Sequence, residues 1–312
     1  MASQIFRKSW PYAAIIAAHV IWGVNFVVAK LTLQEIPPMS LAFLRFTIAL
    51  FLLLPFLITE RKKIKIESYD IPKLFAIGVL MVTLNIAFFY AGLSRTTVTS
   101  ASVLTMIIPV MSVLVGWWFL KEKVYVVNLL GILLGLVGAV LVVGLPLIML
   151  GLQSAGTSLL GNGLIILASV AWVGGAILSK EMLKKYSTLI LTTIVFLVGL
   201  LSFIVPAIAE YLQNPSWPHQ VTYLGISGLI FIALASSISA YFLFEWGLSK
   251  LGVIQADLFQ YIEPLIATTL GVLILNEQLR FSLIIGGILV GLGVYFATFA
   301  KAHHKHHKMH RT

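Results

Sequence analysis

The chain has no cysteine, which excludes disulfides, thiolate nucleophiles and cysteine-bound metals. Charge is scarce too: Asp, Glu, Lys and Arg make up 10% of the residues, against 60% hydrophobic ones, and the mean hydropathy is +1.02. A soluble fold has no interior large enough to hide that much apolar surface. Histidine is confined to His19, His219 and the tail, and neither a His-Glu-x-x-His nor a Gly-x-Ser-x-Gly segment occurs. The two commonest hydrolase arrangements are therefore unsupported. A Gly-x-x-x-x-Gly-Lys-Ser/Thr loop is also missing, and with it the phosphate cradle of an ATP-driven pump. No cofactor and no metal site is expected.

What the chain does have is a series of apolar runs near the roughly 20 residues that cross a bilayer as helix. They fall at about Tyr12–Leu33, Met39–Thr59, Pro72–Gly92, Thr97–Phe119 and Val126–Gly144, then Leu159–Ser179, Thr188–Tyr211, Val221–Phe244, Val253–Leu275 and Phe281–Ala300. The first is too long for a signal-peptide core and is expected to remain as a span. Between the fifth and sixth, Leu145 to Ser158 mixes Pro, Gly, Gln and Ser, and is expected as a linker. The predicted organisation is an all-α polytopic membrane protein: a five-helix unit over 1–144, a linker over 145–158, a second unit over 159–300 and a basic tail over 301–312.

The net charge of +10 lies mostly in short loops and the tail. With the N-terminus in the cytoplasm, only Lys30, Arg95 and Arg280 of the 21 basic residues fall on outside ends, and Arg45 falls within the second span. The positive-inside rule thus predicts both termini in the cytoplasm of a cell-membrane protein. The charge reads as membrane orientation rather than nucleic-acid binding, and the His/Lys-rich tail as a solvated positive-inside segment, with metal or anionic lipid as alternative ligands.

A shift of 155 residues places Gly92, Ser94, Ala101, Pro109, Gly116, Glu122, Gly131 and Gly138 on Gly247, Ser249, Ala256, Pro264, Gly271, Glu277, Gly286 and Gly293. A shift of 150 places Trp22 and Lys30 on Trp172 and Lys180. Leu and Val coincidences mean little between apolar segments, but matched Pro, Glu and Gly point to a duplication. An odd number of spans per unit makes the second unit enter the membrane from the opposite face, so the repeat is inverted. The charges agree: Lys121 and Lys123 become Asn276 and Gln278 where the orientation flips.

One copy is more polar than the other. The ninth span carries Asp257, Gln260, Tyr261, Glu263 and Pro264, where the fourth has Ser102, Thr105, Met106, Ile108 and Pro109. Carboxylates inside a membrane are costly, about 2.5 to 3.5 kcal/mol by insertion scales, and so mark candidate sites. Glu263 is a candidate proton- or cation-responsive group, beside a proline that frees a backbone carbonyl; its alternative is a structural, paired or protonated carboxyl. Asp257 has the alternative of sitting hydrated near the cytoplasmic end. In the first span His19, Trp22 and Asn25 share one helical face: Trp22 to stack on a substrate, Asn25 to hydrogen-bond it, His19 to titrate or to stay a structural histidine. The GxxxG spacings Gly131/Gly135 and Gly287/Gly291 are expected to pack helices within the chain, with dimerisation as the alternative.

The paired Trp22 and Trp172 segments, the Gly-Leu-Ser-Arg/Lys turns at Gly92 and Gly247, and the Pro109 and Pro264 helices ending in Glu122 and Glu277 together resemble the EamA-type branch of the drug/metabolite transporter superfamily, over nearly all of Tyr12 to Ala300. The resemblance implies ten spans, a central cavity lined by spans 1, 3, 4, 6, 8 and 9, and movement of small metabolites, often amino acids, frequently outward. Asn85, Tyr90, Trp172 and Tyr241, with Glu245 and Trp246, would then add polar and aromatic walls, while Arg45, in a span the family places peripherally, is expected outside the site in an ion pair or snorkelling. The substrate-binding candidates are accordingly Trp22, Asn25, Asn85, Tyr90, Trp172, Tyr241, Gln260 and Tyr261, and the coupling candidates Glu263, Asp257 and His19. The expected function is a secondary transporter with a small-molecule substrate in a lipid bilayer, as monomer or homodimer. An intramembrane enzyme, a receptor or regulator, and an uncoupled facilitator are the alternatives. Four-span relatives carry an essential acidic residue in their first helix, and Tyr12 to Leu33 has none.

Overall fold

In an apolar medium a backbone must satisfy its own hydrogen bonds, and this chain does so with helices throughout its described length. A computed structural model describes residues 2–60, 65–120, 126–279, 281, 284–289 and 291–293. The elements are α1 (Ala2–Thr32), α2 (Pro38–Glu60), α3 (Ile71–Gly78), α4 (Asn85–Leu93), α5 (Val98–Thr105), α6 (Ile107–Leu120), α7 (Val126–Met182), α8 (Thr188–Gln213), α9 (Trp217–Gln220), α10 (Tyr223–Phe231), α11 (Ala240–Leu251), α12 (Val253–Asp257) and α13 (Ile262–Leu275). Starts are written in side chains: Thr97, Ser187 and Thr222 accept from the N–H groups of Ser100, Ile190 and Leu224 at the heads of α5, α8 and α10.

Among the described residues, six helical stretches are long and apolar enough to cross a membrane: Trp10–Thr32, Pro38–Thr59, Ser68–Leu93, Leu159–Met182, Thr188–Gln213 and Tyr223–Leu251. Val98–Ser112, Ile262–Leu275 and Ile284–Gly293 are shorter apolar helices. The spans expected from the sequence thus include both long helices and shorter, broken ones. The backbone of residues 145–158, expected as the linker, is helical within α7. Gly and Ser lower helix propensity, but by less than the cost of leaving backbone groups unpaired in an apolar setting. The basic tail, Glu122, Arg280 and half of the tenth apolar run lie outside the described residues.

The departures from α-helix recur in the two halves. Val79–Leu84 and Ile232–Ser239 are π-helical inserts, and the first falls within the second at the 155-residue shift. The fourth apolar run breaks at Met106, between α5 and α6, and the ninth passes through a 3-10 turn, Leu258–Tyr261, between α12 and α13. Pro109 and Pro264 each stand third in the helix that follows the break. There the missing N–H is one of those without an intrahelical partner, so the prolines start helices instead of interrupting them.

The same reciprocity holds the bundle together. The ammonium of Lys30 donates to the carbonyls of Leu93, Ser94 and Thr96 beyond the end of α4, and that of Lys180 donates to Leu248 and Ser249 at the end of α11. Each lysine neutralises the negative end of a helix dipole. At Gly92 a Cβ would lie 2.8 Å from Gly161 O and 3.1 Å from the Ile165 side chain; at Gly247 it would lie 3.1 Å from Pro11 O and 2.5 Å from the Ile15 side chain. These contact residues are themselves paired by the 150-residue shift. Gly287 and Gly291 face Val103 and Met106, so this GxxxG packs within the chain. Large apolar side chains such as Phe51, Val205 and Leu273 point outward, more than 70% exposed, as a lipid-facing perimeter requires.

Candidate functional site

Where the π inserts and broken helices meet, the bundle holds a cavity with about 590 Å³ of space between atoms, part of it open to the outside. Its walls come from both halves, and four pairs of lining residues are related by the repeat shifts: Trp22 and Trp172, Ile86 and Tyr241, Thr105 and Gln260, Ile108 and Glu263.

Aromatic rings form one wall. Trp22 meets Trp172 edge to face at 5.2 Å and Tyr241 at 5.6 Å, and Phe26 meets Phe89 at 5.1 Å. Quadrupoles favour these crossed arrangements, which leave ring surface available to a ligand. Two of the polar tips reach into the π inserts. The N–H of Asn85 bonds to the carbonyls of Leu80 and Val82, and that of Ala240 to those of Ala235 and Ser237. Each skips the carbonyl four residues back, Met81 or Ser236. Those two carbonyls instead accept the Tyr241 hydroxyl at 3.4 Å and the Trp22 indole N–H at 3.1 Å. The two accepting carbonyls correspond at the 155-residue shift, as do those of Leu93 and Leu248 that the lysines cap, whereas the aromatic donors Trp22 and Tyr241 are unrelated by either shift.

The opposite wall is acidic and amidic. Gln260 lies in the 3-10 turn between α12 and α13, and Glu263 is the second residue of α13, near the positive end of its dipole. His19 Nδ1 lies 2.7 Å from Glu263 Oε1, and Gln260 Nε2 donates to Glu263 Oε2 at 2.5 Å. His19 Nε2 lies 3.3 Å from Ala256 O, an oxygen that only accepts, so Nε2 carries a hydrogen. One further proton then sits between Nδ1 and Oε1, giving either an ion pair or a neutral pair. Removing it would leave a net negative charge in a site where His19 and Glu263 are both buried.

Seven of the expected residues line the cavity: Trp22, Asn25, Asn85, Trp172, Tyr241, Gln260 and Glu263. His19 stands behind Glu263. Asp257 is fully buried away from the lining and accepts from Ser112 at 2.5 Å, so its expected alternative, a hydrated helix end, is not what is found. Tyr90 is buried with its hydroxyl turned to Arg45. Glu245 is buried against Thr192, and Trp246 is 38% exposed; neither forms the walls anticipated. The Tyr261 backbone ends the 3-10 turn, and its side chain lies outside the described residues.

Arg45 was expected outside the site and is in it. It lines the cavity with 1% of its surface exposed, donating from Nε to Ser237 Oγ at 2.8 Å and from Nη1 to the Tyr90 hydroxyl at 2.7 Å. The signal was available as a lone cation in an otherwise apolar span; assigning α2 to the periphery concealed it. Phe26, Phe89 and Ser236 were also missed, since apolar or small residues in apolar runs carry no mark of which face they occupy.

A family model described as the EamA-like transporter family matches residues 9–144 and 159–299. Among similar proteins, an uncharacterized transporter of Archaeoglobus fulgidus is 29% identical over 291 residues, covering 91% of this chain and 95% of its own. The uncharacterized transporter YetK of Bacillus subtilis is 30% identical over 294 residues, covering 91% and 87%. A solved crystal structure, 19% identical, superposes with a TM-score of 0.65 over 94% of this chain and 97% of the other, a likeness of fold.

Proposed function

Because the chain belongs to the EamA-like transporter family, and so is an all-helical, multi-pass membrane transporter, we propose that it is a secondary transporter exporting small metabolites by alternating access through this cavity. In this reading ten spans form two inverted five-helix repeats joined at residues 145–158, with both termini on the cytoplasmic side of the cell membrane. Amino acids and related amphipathic compounds are the substrate classes to test first.

The observation that carries the proposal is the reciprocity of the cavity. Each half places an aromatic donor on a π-segment carbonyl of the other, Trp22 on Ser236 and Tyr241 on Met81, and caps one of its own helix ends with Lys30 or Lys180; the accepting carbonyls correspond at the 155-residue shift and the lysines at the 150-residue shift. Repeats that make equivalent contacts around one central site can exchange conformations by rocking, which is how inverted-repeat carriers alternate access. Trp22, Trp172 and Tyr241 supply the ring surfaces for substrate, while Asn25, Asn85 and Gln260 supply polar contacts. Glu263 with His19 is the coupling group, since that pair shares one proton at the cavity wall.

The test is transport in proteoliposomes across a metabolite panel, with and without a pH gradient. Gradient-driven transport is expected to disappear in Glu263→Gln while exchange of substrate across the membrane persists. Full gradient-driven transport by that variant removes Glu263 as the coupling group and supports uncoupled facilitation.

A further inference from the structure

Arg45 presents a problem of charge. Among the described residues the ion pairs are His19 with Glu263, Lys73 with Glu181, and Lys185 with Glu67 and Asp70; none involves Arg45. Its described hydrogen bonds engage Nε and Nη1 and go to two neutral hydroxyls. Its guanidinium lies 5.0 Å from the Phe46 ring centre and 5.7 Å from that of Tyr90, which offsets part of the desolvation but neutralises nothing. A buried cation with neutral partners is costly in isolation and becomes favourable when an anion completes it. A guanidinium has five N–H donors in a fork that matches a carboxylate.

A second feature points to a ligand at the same cavity. Asn25, 5% exposed, has its Oδ1 buried with no protein partner, and the indole N–H of Trp172 is likewise without one. Both residues line the cavity. Glu263, by contrast, has both carboxyl oxygens engaged, by His19 and Gln260, so it is not an open receptor for an ammonium group.

We propose that Arg45 is the anion anchor of the cavity and that the transported compounds carry a carboxylate on a flat, apolar body, with a hydrogen-bond donor for Asn25 where they have one. The inference rests on the cavity being the transport site. The carboxylate seats on the free edge of the guanidinium, and the body lies against the Trp22 and Trp172 rings. Ser237 and Tyr90 act as positioning residues that hold the fork in place, and the first of them is itself held, its hydroxyl donating to Ile232 O at 2.8 Å inside the π insert.

The experiment measures affinities by titration calorimetry for the full-length protein in lipid nanodiscs with 3-phenylpropionate, 3-phenylpropanamide and 3-phenylpropylamine. These share a body and differ in the terminal group. The acid is expected to bind about tenfold tighter than the amide, with the amine weakest, as a charge-assisted pair requires. In Arg45→Gln the acid-to-amide ratio is expected to fall to about one while the amide affinity holds, an effect a purely structural arginine would not produce. Should Arg45→Gln not fold, Ser237→Asp supplies an internal carboxylate to the same guanidinium and is expected to abolish the acid preference. Equal affinity of the wild type for acid and amide, or a ratio that survives either substitution, overturns the anchor. If binding of either kind is unaffected by Trp172→Leu, or none of the three compounds binds, the cavity reading fails and the anchor with it.

Discussion

The fourth and ninth apolar runs occupy equivalent places in the two halves, break at equivalent residues and restart on Pro109 and Pro264, yet they present different chemistry to the cavity. In the first half the cavity side of the break carries Thr105 and Ile108; in the second it carries Gln260 and Glu263, with His19 engaged behind. The shared features are backbone features: helix breaks, π inserts, lysine caps and glycine contacts. What differs is the side chains on the cavity wall. Duplication therefore fixes a scaffold, and specialisation of one copy supplies the ionisable group. The second cavity charge, Arg45, also lacks a counterpart, because the 150-residue shift places it on Val195. Both departures from symmetry introduce charge at the cavity, as expected if symmetric parts move and asymmetric parts select.

That comparison can be broken at its strongest point by exchanging the unlike residues. Glu263→Ile gives the second half the first half's residue and strands His19 and Gln260. It is expected to abolish gradient-driven transport in proteoliposomes and to cost about 1 to 3 kcal/mol in a denaturation series, the penalty for buried polar groups without partners. Retention of gradient-driven transport would mean that the asymmetry is decorative.

Next in size are the like residues. Gly92→Ala pushes a methyl toward the Gly161 carbonyl, part of a backbone that cannot easily yield, and is expected to destabilise by about 1 to 3 kcal/mol. Gly247→Ala meets mainly the Ile15 side chain and should cost less. Thermal unfolding of both variants in matched detergent checks the order; a larger loss at Gly247 would contradict the packing described.

Lys30→Met and Lys180→Met should each lower stability by about 1 kcal/mol, and by similar amounts, because each removes an ammonium from the carbonyl end of a helix. A large inequality would show that the two caps are not equivalent.

The smallest expected effect lies outside the membrane-spanning segments. Hydrogen bonds to the Tyr69 hydroxyl and the Asp70 carboxylate hold the Lys185 ammonium above the ordinary lysine range. A raised folded value means that its contribution is fully present below about pH 10.4 and is lost only as pH climbs through the folded value. Melting temperatures of wild type and Lys185→Met should therefore keep a constant difference from pH 6 to pH 9; a difference that closes in that window would contradict the assignment.

Much of this protein is readable from residue order. Apolar runs long enough to cross a bilayer dictate helices, because no other open structure satisfies a backbone in lipid. The duplication was visible in matched Pro, Gly and Glu, and seven of the cavity residues stood out as polar or aromatic side chains in apolar surroundings. Legibility failed where a residue type carries no information about its neighbours. Nothing in the composition of Val79–Leu84 or Ile232–Ser239 announces a π insert, since the insert changes hydrogen-bond partners and leaves the apolar pattern intact. Arg45 and Asp257 were visible as charges but not as to surroundings: one was assigned to the periphery and lines the cavity, and the other had a hydrated end as its alternative and is buried.

The sequence by itself determined a helical membrane protein made of two related halves, because hydropathy and repeat spacing are properties of the chain alone. Only the tertiary structure decided which side chains share the cavity, that Glu263 meets a histidine from 244 positions away, and that Arg45 lines the cavity with hydroxyls for partners. The physical reason is that apolar surroundings set the cost of burying a charge, whereas the partner that offsets it is chosen by packing between helices distant in the chain.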